Sequence, residues 1–63
     1  MKRQDVLIMY NDGGTFSVQG AKQIQFGMRC VQIDWEEDGE IKQMIVPLRN
    51  VNYIRNNIME IPD

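Results

Sequence analysis

The sequence predicts an all-β fold, a single small barrel of five antiparallel strands with a bulge in the middle one. Three observations carry that reading. Asp38-Gly39 lies between two apolar-rich runs and has the chemistry of a two-residue hairpin turn, because both residue types tolerate positive φ. Residues 23–35 alternate like one long strand, yet their apolar positions change phase just after Gly27. Pro47, followed by Leu48-Arg49-Asn50, then interrupts the pattern before a last apolar run from Val51.

Taken in order, Met1 to Gln4 reads as a frayed polar start. Val6-Leu7-Ile8-Met9-Tyr10 is an unbroken apolar run of the length of a strand buried on both faces. Asn11-Asp12-Gly13-Gly14 is the densest turn cluster. Thr15-Phe16-Ser17-Val18-Gln19 alternates polar and apolar, as a strand with one wet face does. A turn at Asp12-Gly13 pairs Met9 with Phe16 and Leu7 with Val18, and a turn at Gly13-Gly14 keeps that parity. Gly20-Ala21-Lys22 is a connection. In residues 23–35, Ile24, Phe26 and Met28 are apolar at even positions and Val31, Ile33 and Trp35 at odd ones. One extra residue, a β-bulge between Gly27 and Cys30, accounts for the shift and bends the strand so that it serves two sheets.

The Asp38-Gly39 turn fixes its own register. Glu37 faces Glu40, Trp35 faces Lys42, Ile33 faces Met44 and Val31 faces Val46. Val31, Ile33, Trp35, Met44 and Val46 then share one face, and a slip of one residue destroys that agreement. Pro47 cannot donate to a ladder, so the fourth strand ends there. Leu48 to Asn50 fits a 3₁₀ turn, and residues 51–55 fit a fifth strand. A helix competes here, since Val51, Ile54, Ile58 and Met59 have helical spacing, but Asn52, Asn56 and Asn57 are poor helix formers. Residues 58–63 form an extra edge strand or an oligomer arm in this reading.

In order and spacing these elements resemble the SH3-like and Sm-like small barrels. The local run Val46-Pro47-Leu48-Arg49-Asn50-Val51-Asn52-Tyr53-Ile54 is similar to their turn-then-strand ending. The resemblance implies a fold and no function, because such folds host many.

Sixty-three residues make one domain, residues 1–63, and bury only about 60% of the unfolded surface. Small domains often add disulfides or metals. Here one cysteine, Cys30, allows no internal disulfide, and without histidine one thiol makes no zinc site. Self-association is the remaining way to bury more surface, so a homo-oligomer is expected. A lone thiol suits a reducing cytoplasm. The first ten residues hold too short an apolar run for a signal peptide or a membrane span, so no membrane role is expected.

The inventory for catalysis is thin, and the chain reads as a non-enzyme. The commonest general base is absent with histidine, and Cys30 has nothing to activate it. No phosphate loop exists, so no cofactor is expected. Asp34, Glu36, Asp38 and Gly39 match positions 1, 3, 5 and 6 of a calcium loop, but the twelfth position is Ile45, and no metal site results. The net charge is -2, and Lys22, Arg29, Lys42, Arg49 and Arg55 are scattered rather than striped. Duplex nucleic acid is therefore not the expected ligand. A ring of subunits that gathers Arg29, Arg49 or Arg55, with Tyr10 and Tyr53 as stacking platforms, could take a nucleotide or short RNA.

Trp35 opposite Lys42 has two readings. The lysine stem covers the indole, or the indole anchors a partner protein. Phe16, Phe26 and Trp35 are assigned to the core. Apolar residues remain on more than one face. Val6, Ile8 and Tyr10 oppose Leu7 and Met9, while Ile41, Ile45 and Cys30 lie opposite the main core face. This surplus points to a protein-interaction module. Candidate contacts are Tyr10, Arg29, Trp35, Lys42, Arg49, Tyr53 and Arg55. In general character the chain also resembles small accessory proteins of phages, which implies binding to and occlusion of a host protein.

Overall fold

The computed structural model describes residues 1–62. The chain is all-β, with strands β1 (Lys2–Tyr10), β2 (Thr15–Val18), β3 (Gln23–Phe26), β4 (Cys30–Glu37), β5 (Glu40–Pro47) and β6 (Val51–Glu60). A 3₁₀ turn, Leu48–Asn50, separates β5 from β6, as the Pro47 signal requires. The strands form two antiparallel three-stranded sheets, ordered β2-β1-β6 and β3-β4-β5. This replaces the expected closed barrel of five strands.

The β4–β5 hairpin has the register the turn dictates: Val31 opposite Val46, Ile33 opposite Met44, Trp35 opposite Lys42. Asp38 and Gly39 have φ of 54° and 79°, the two positive values of a type I′ turn.

The phase change at Gly27 has a different cause from the expected bulge. β3 and β4 are separate strands folded against each other, with Ile24 opposite Ile33 and Phe26 opposite Val31. Gly27 donates its N–H to the Cys30 carbonyl at 2.8 Å and closes a two-residue loop, Met28-Arg29. Antiparallel partners around an even loop have numbers of opposite parity. The shift is therefore the signature of a hairpin.

The β1–β2 turn corrects a second expectation. Tyr10 donates to Gly14 at 2.8 Å and its carbonyl accepts from Gly13 at 3.1 Å, with Gly13 at φ 92°. That is a three-residue loop with a glycine bulge. An odd loop reverses the parity, so Val6 pairs with Val18 and Ile8 with Phe16, rather than Leu7 with Val18 and Met9 with Phe16. Val6 and Ile8 enter the core, and Leu7 and Met9 turn outward, half-buried.

The bend that carries the chain from one sheet to the other lies at Gly20, φ 75°. Ala21 donates to the Gln4 carbonyl of β1 and Lys22 to the Asp34 carbonyl of β4, both at 2.8 Å, so residues 20–22 stitch the sheets together. The core is Val6, Ile8, Val18 and Ala21 against Val31, Ile33 and Val46. Full burial of side chains such as Ile8 and Ile33 stabilises by about 1.5–3 kcal/mol each. Phe16 and Trp35 close one end across the two sheets, with ring centroids 5.7 Å apart. Phe26, expected in the core, is exposed although Val31 and Val46 in its row are buried, because it sits on β3, the edge strand of its sheet.

The start of the chain is not frayed. β1 begins at Lys2, opposite Glu60, and pairs with β6 over its whole length. Residues 51–60 are one strand, so the helical alternative does not form. β2 reaches only Val6 to Met9, which leaves residues 2–5 and 57–60 as a two-stranded ribbon beyond it. Asp63 lies outside the described residues. No helix among the described residues is long and apolar enough to cross a membrane.

Candidate interaction surface

Directly opposed residues in an antiparallel pair share a face. With Val6 and Ile8 committed to the core, the outer face of β2-β1-β6 presents four rows. Thr15, Met9 and Tyr53 form one, Ser17, Leu7 and Arg55 the next, Asp5 with Asn57 the third, and Arg3 with Met59 the fourth. Leu7 and Met9 are half-covered by their neighbours, while Tyr53 and Met59 are exposed at 46% and 40%. Arg55 makes no ion pair with another described residue, so its guanidinium is open to a partner. Two expected contacts, Tyr53 and Arg55, thus sit beside an apolar centre that the residue types alone did not reveal.

Arg3 and Asp5 serve the fold on this face. Arg3 Nε donates to Asp5 Oδ1 at 2.9 Å, and the same oxygen accepts the Gly20 N–H at 3.0 Å. The Arg3 hydrogen bond first, then that of Gly20, hold the Asp5 carboxyl below the usual carboxylate range. Asp5 therefore anchors the bend between the sheets.

The other expected contacts lie elsewhere. Arg29 and Arg49 come together, because the Leu48 N–H donates to the Arg29 carbonyl at 2.9 Å. With Met28, Pro47 and Leu48 they line a shallow depression. Trp35 and Lys42 are opposite each other near the far end of β4. Lys42 Nζ pairs with Glu40 at 3.0 Å, and Trp35 Nε1 donates to Glu37 at 3.3 Å, while the indole packs on Phe16. Trp35 is thus core-facing and half-buried. Tyr10 is half-buried too and borders a hollow with Asn11, Asp12 and Asn50. Six residue steps from Arg29 to Trp35, or about 20 Å of strand, separate the arginine pair from the tryptophan, so these residues form separate surfaces.

Sequence reasoning places Leu7 and Met9 among the surplus apolar positions without deciding which face of the strand turns outward, and it misses Met59. The run 6–10 is apolar throughout and carries no parity, and only the loop length around Asp12-Gly13-Gly14 could have supplied it. On the outer face of β3-β4-β5, Ile41 and Ile45 are exposed at 63% and 58%, among Gln32, Asp34, Gln43 and half-buried Cys30. Among the described residues no polar or charged side chain is buried, and no cluster has a metal-binding arrangement. No family model matches this chain, and neither the curated proteins nor the solved structures contain a significant match.

Proposed function

We propose that this chain is a non-enzymatic protein-interaction module that docks another protein on the outer face of β2-β1-β6. The observation that carries the reading is the outward pair Leu7 and Met9, flanked by Tyr53 and Arg55, with Met59 farther along the same face beyond Asp5 and Asn57. Tyrosine and arginine around an apolar centre are the residue types that dominate binding energy at protein interfaces. If Thr15 to Phe26 counts as one strand bent at Gly20, the strand order is that of SH3-like and Sm-like barrels. Occlusion of a host protein, in the manner of a phage accessory protein, fits a module of this size in the cytoplasm. The test is affinity capture from the native host with the wild type and a Tyr53→Ala, Arg55→Glu double variant. A protein held by the first and lost by the second supports the reading. A protein held equally by both refutes this surface.

The second reading is a nucleotide- or RNA-binding oligomer. It draws on Arg29 and Arg49, which share one depression and have no acidic partner among the described residues. Binding of short oligonucleotides with a steep salt dependence, lost in an Arg29→Ala, Arg49→Ala variant, would favour it over protein partners.

A further inference from the structure

The backbone of β6 has a free side whose composition can be read residue by residue. Ile61 donates to the Met1 carbonyl at 2.8 Å, and the Met1 amino group contacts the Ile61 carbonyl at 3.5 Å. Residues 1 and 61 are therefore a hydrogen-bonded pair. Such pairs alternate along an antiparallel ladder. Met59, Asn57, Arg55 and Tyr53 consequently turn their N–H and C=O groups toward β1. Asn52, Ile54, Asn56, Ile58 and Glu60 turn theirs outward, because β6 is the last strand of its sheet.

This edge lacks the usual protection against strand pairing. It is ten residues long, holds no proline or lysine, and has only Arg55 and Glu60 as charges. Ile58 is 64% exposed on it. The ribbon formed with residues 2–5 also lacks a third strand, and two-stranded ribbons are marginal alone. The free side of β5 is poorer. By the same alternation it offers N–H groups from Ile41, Gln43 and Ile45 only, since Pro47 has none.

We infer that β6 pairs antiparallel with β6 of a second copy of this chain, about a two-fold axis at Asn56. Outward-facing residues must meet each other, so even numbers pair with even numbers. The register centred on Asn56 places Asn52 opposite Glu60, Ile54 opposite Ile58, and Asn56 opposite itself. On the outer face Tyr53 meets Met59 and Arg55 meets Asn57. Apolar residues meet apolar ones on both faces, and no like charges oppose. A shift of two in one direction sets Arg55 against Arg55. The shift in the other direction sets Asn56 against Ile58 and Ile54 against Glu60. The favoured register forms five hydrogen-bonded pairs, about ten hydrogen bonds, which is typical of a specific interface. It joins the two sheets into one of six strands, ordered β2-β1-β6-β6-β1-β2. Unlike a β5-to-β6 contact, it closes on itself and leaves no chain of copies growing.

Sedimentation with oxidative cross-linking tests this, in a Cys30→Ser background. Dimer is expected at tens to hundreds of micromolar. A Tyr53→Cys, Met59→Cys double variant is expected to become a covalent dimer, because a non-hydrogen-bonded pair brings Cα atoms to about 4.5 Å, within disulfide reach. Either single variant is not expected to cross-link. Asn56→Pro removes an N–H that the isolated chain does not use. It is expected to weaken dimerisation at least about tenfold while the fold is kept. A folded wild type that stays monomeric at millimolar concentration overturns the inference. So does a dimer that persists unchanged in folded Asn56→Pro, or one in which the double variant fails to cross-link. Should Asn56→Pro not fold, Ile58→Lys replaces it, with the same loss expected.

Discussion

The β4–β5 hairpin and the β1–β6 ribbon are both long antiparallel pairs, but their closure differs. A two-residue turn joins β4 to β5, whereas more than forty residues separate the partners Met9 and Tyr53. Closing the longer loop costs roughly 2–3 kcal/mol more on a logarithmic scale. The hairpin offsets its cost locally, and its central strand buries Val31 and Ile33 fully. The ribbon relies on Val6 and Ile8 of β1, because β6 itself contributes only half-buried Val51 and Ile54. One region is self-sufficient, and the other depends on what packs around it.

Truncation of the core sharpens this contrast most. Ile33→Ala is expected to destabilise by about 2–5 kcal/mol, enough to unfold much of so small a domain, whereas Ile54→Ala costs about half as much. Chemical denaturation of the two variants compares them. Next comes Asn57→Pro, whose N–H faces β1 and Asp5. Its loss should cost about 2–3 kcal/mol in the same measurement, while Asn56→Pro, one residue away, leaves the monomer near wild-type stability. Equal losses would contradict the assigned alternation. Gly39→Ala tests the hairpin turn: a non-glycine residue at φ 79° costs about 1–2 kcal/mol, read as a lower melting temperature.

The smallest effect concerns Asp5, which ties the ribbon to the bend. Its pKa is lowered in the folded state, so its stabilising contribution is present above the unfolded value of about 3.9. It is lost as pH falls through the folded value. Thermal unfolding should show a smaller gap between wild type and Asp5→Asn at pH 3 than at pH 7. A gap that is unchanged with pH would remove this role.

The same contrast explains what was legible in the sequence. Asp38-Gly39 carries its own turn chemistry and is flanked by alternating residues, so the register of eight residue pairs follows from it. The parity of Val6 to Met9 does not, because every residue there is apolar and the cluster at 11–14 admits loops of two or three residues. The phase change at Gly27 fits a bulge as well as a hairpin, because a bulge and an even hairpin loop shift phase identically. Only Gly27-Met28-Arg29 as a turn distinguishes them. β6 is rich in asparagine, and nothing local names β1 as its partner. Tyr53 and Arg55 were legible as residue types, while Leu7 and Met9 beside them depended on the unresolved parity.

Amide hydrogen exchange along residues 51–61, at low and high protein concentration, tests the central claim directly. Tyr53, Arg55, Asn57 and Met59 should be protected at both concentrations. Ile54, Asn56 and Ile58 should exchange freely when dilute and slow down when concentrated. Free exchange of the odd-numbered set when dilute, or no slowing of the even-numbered set when concentrated, would contradict it.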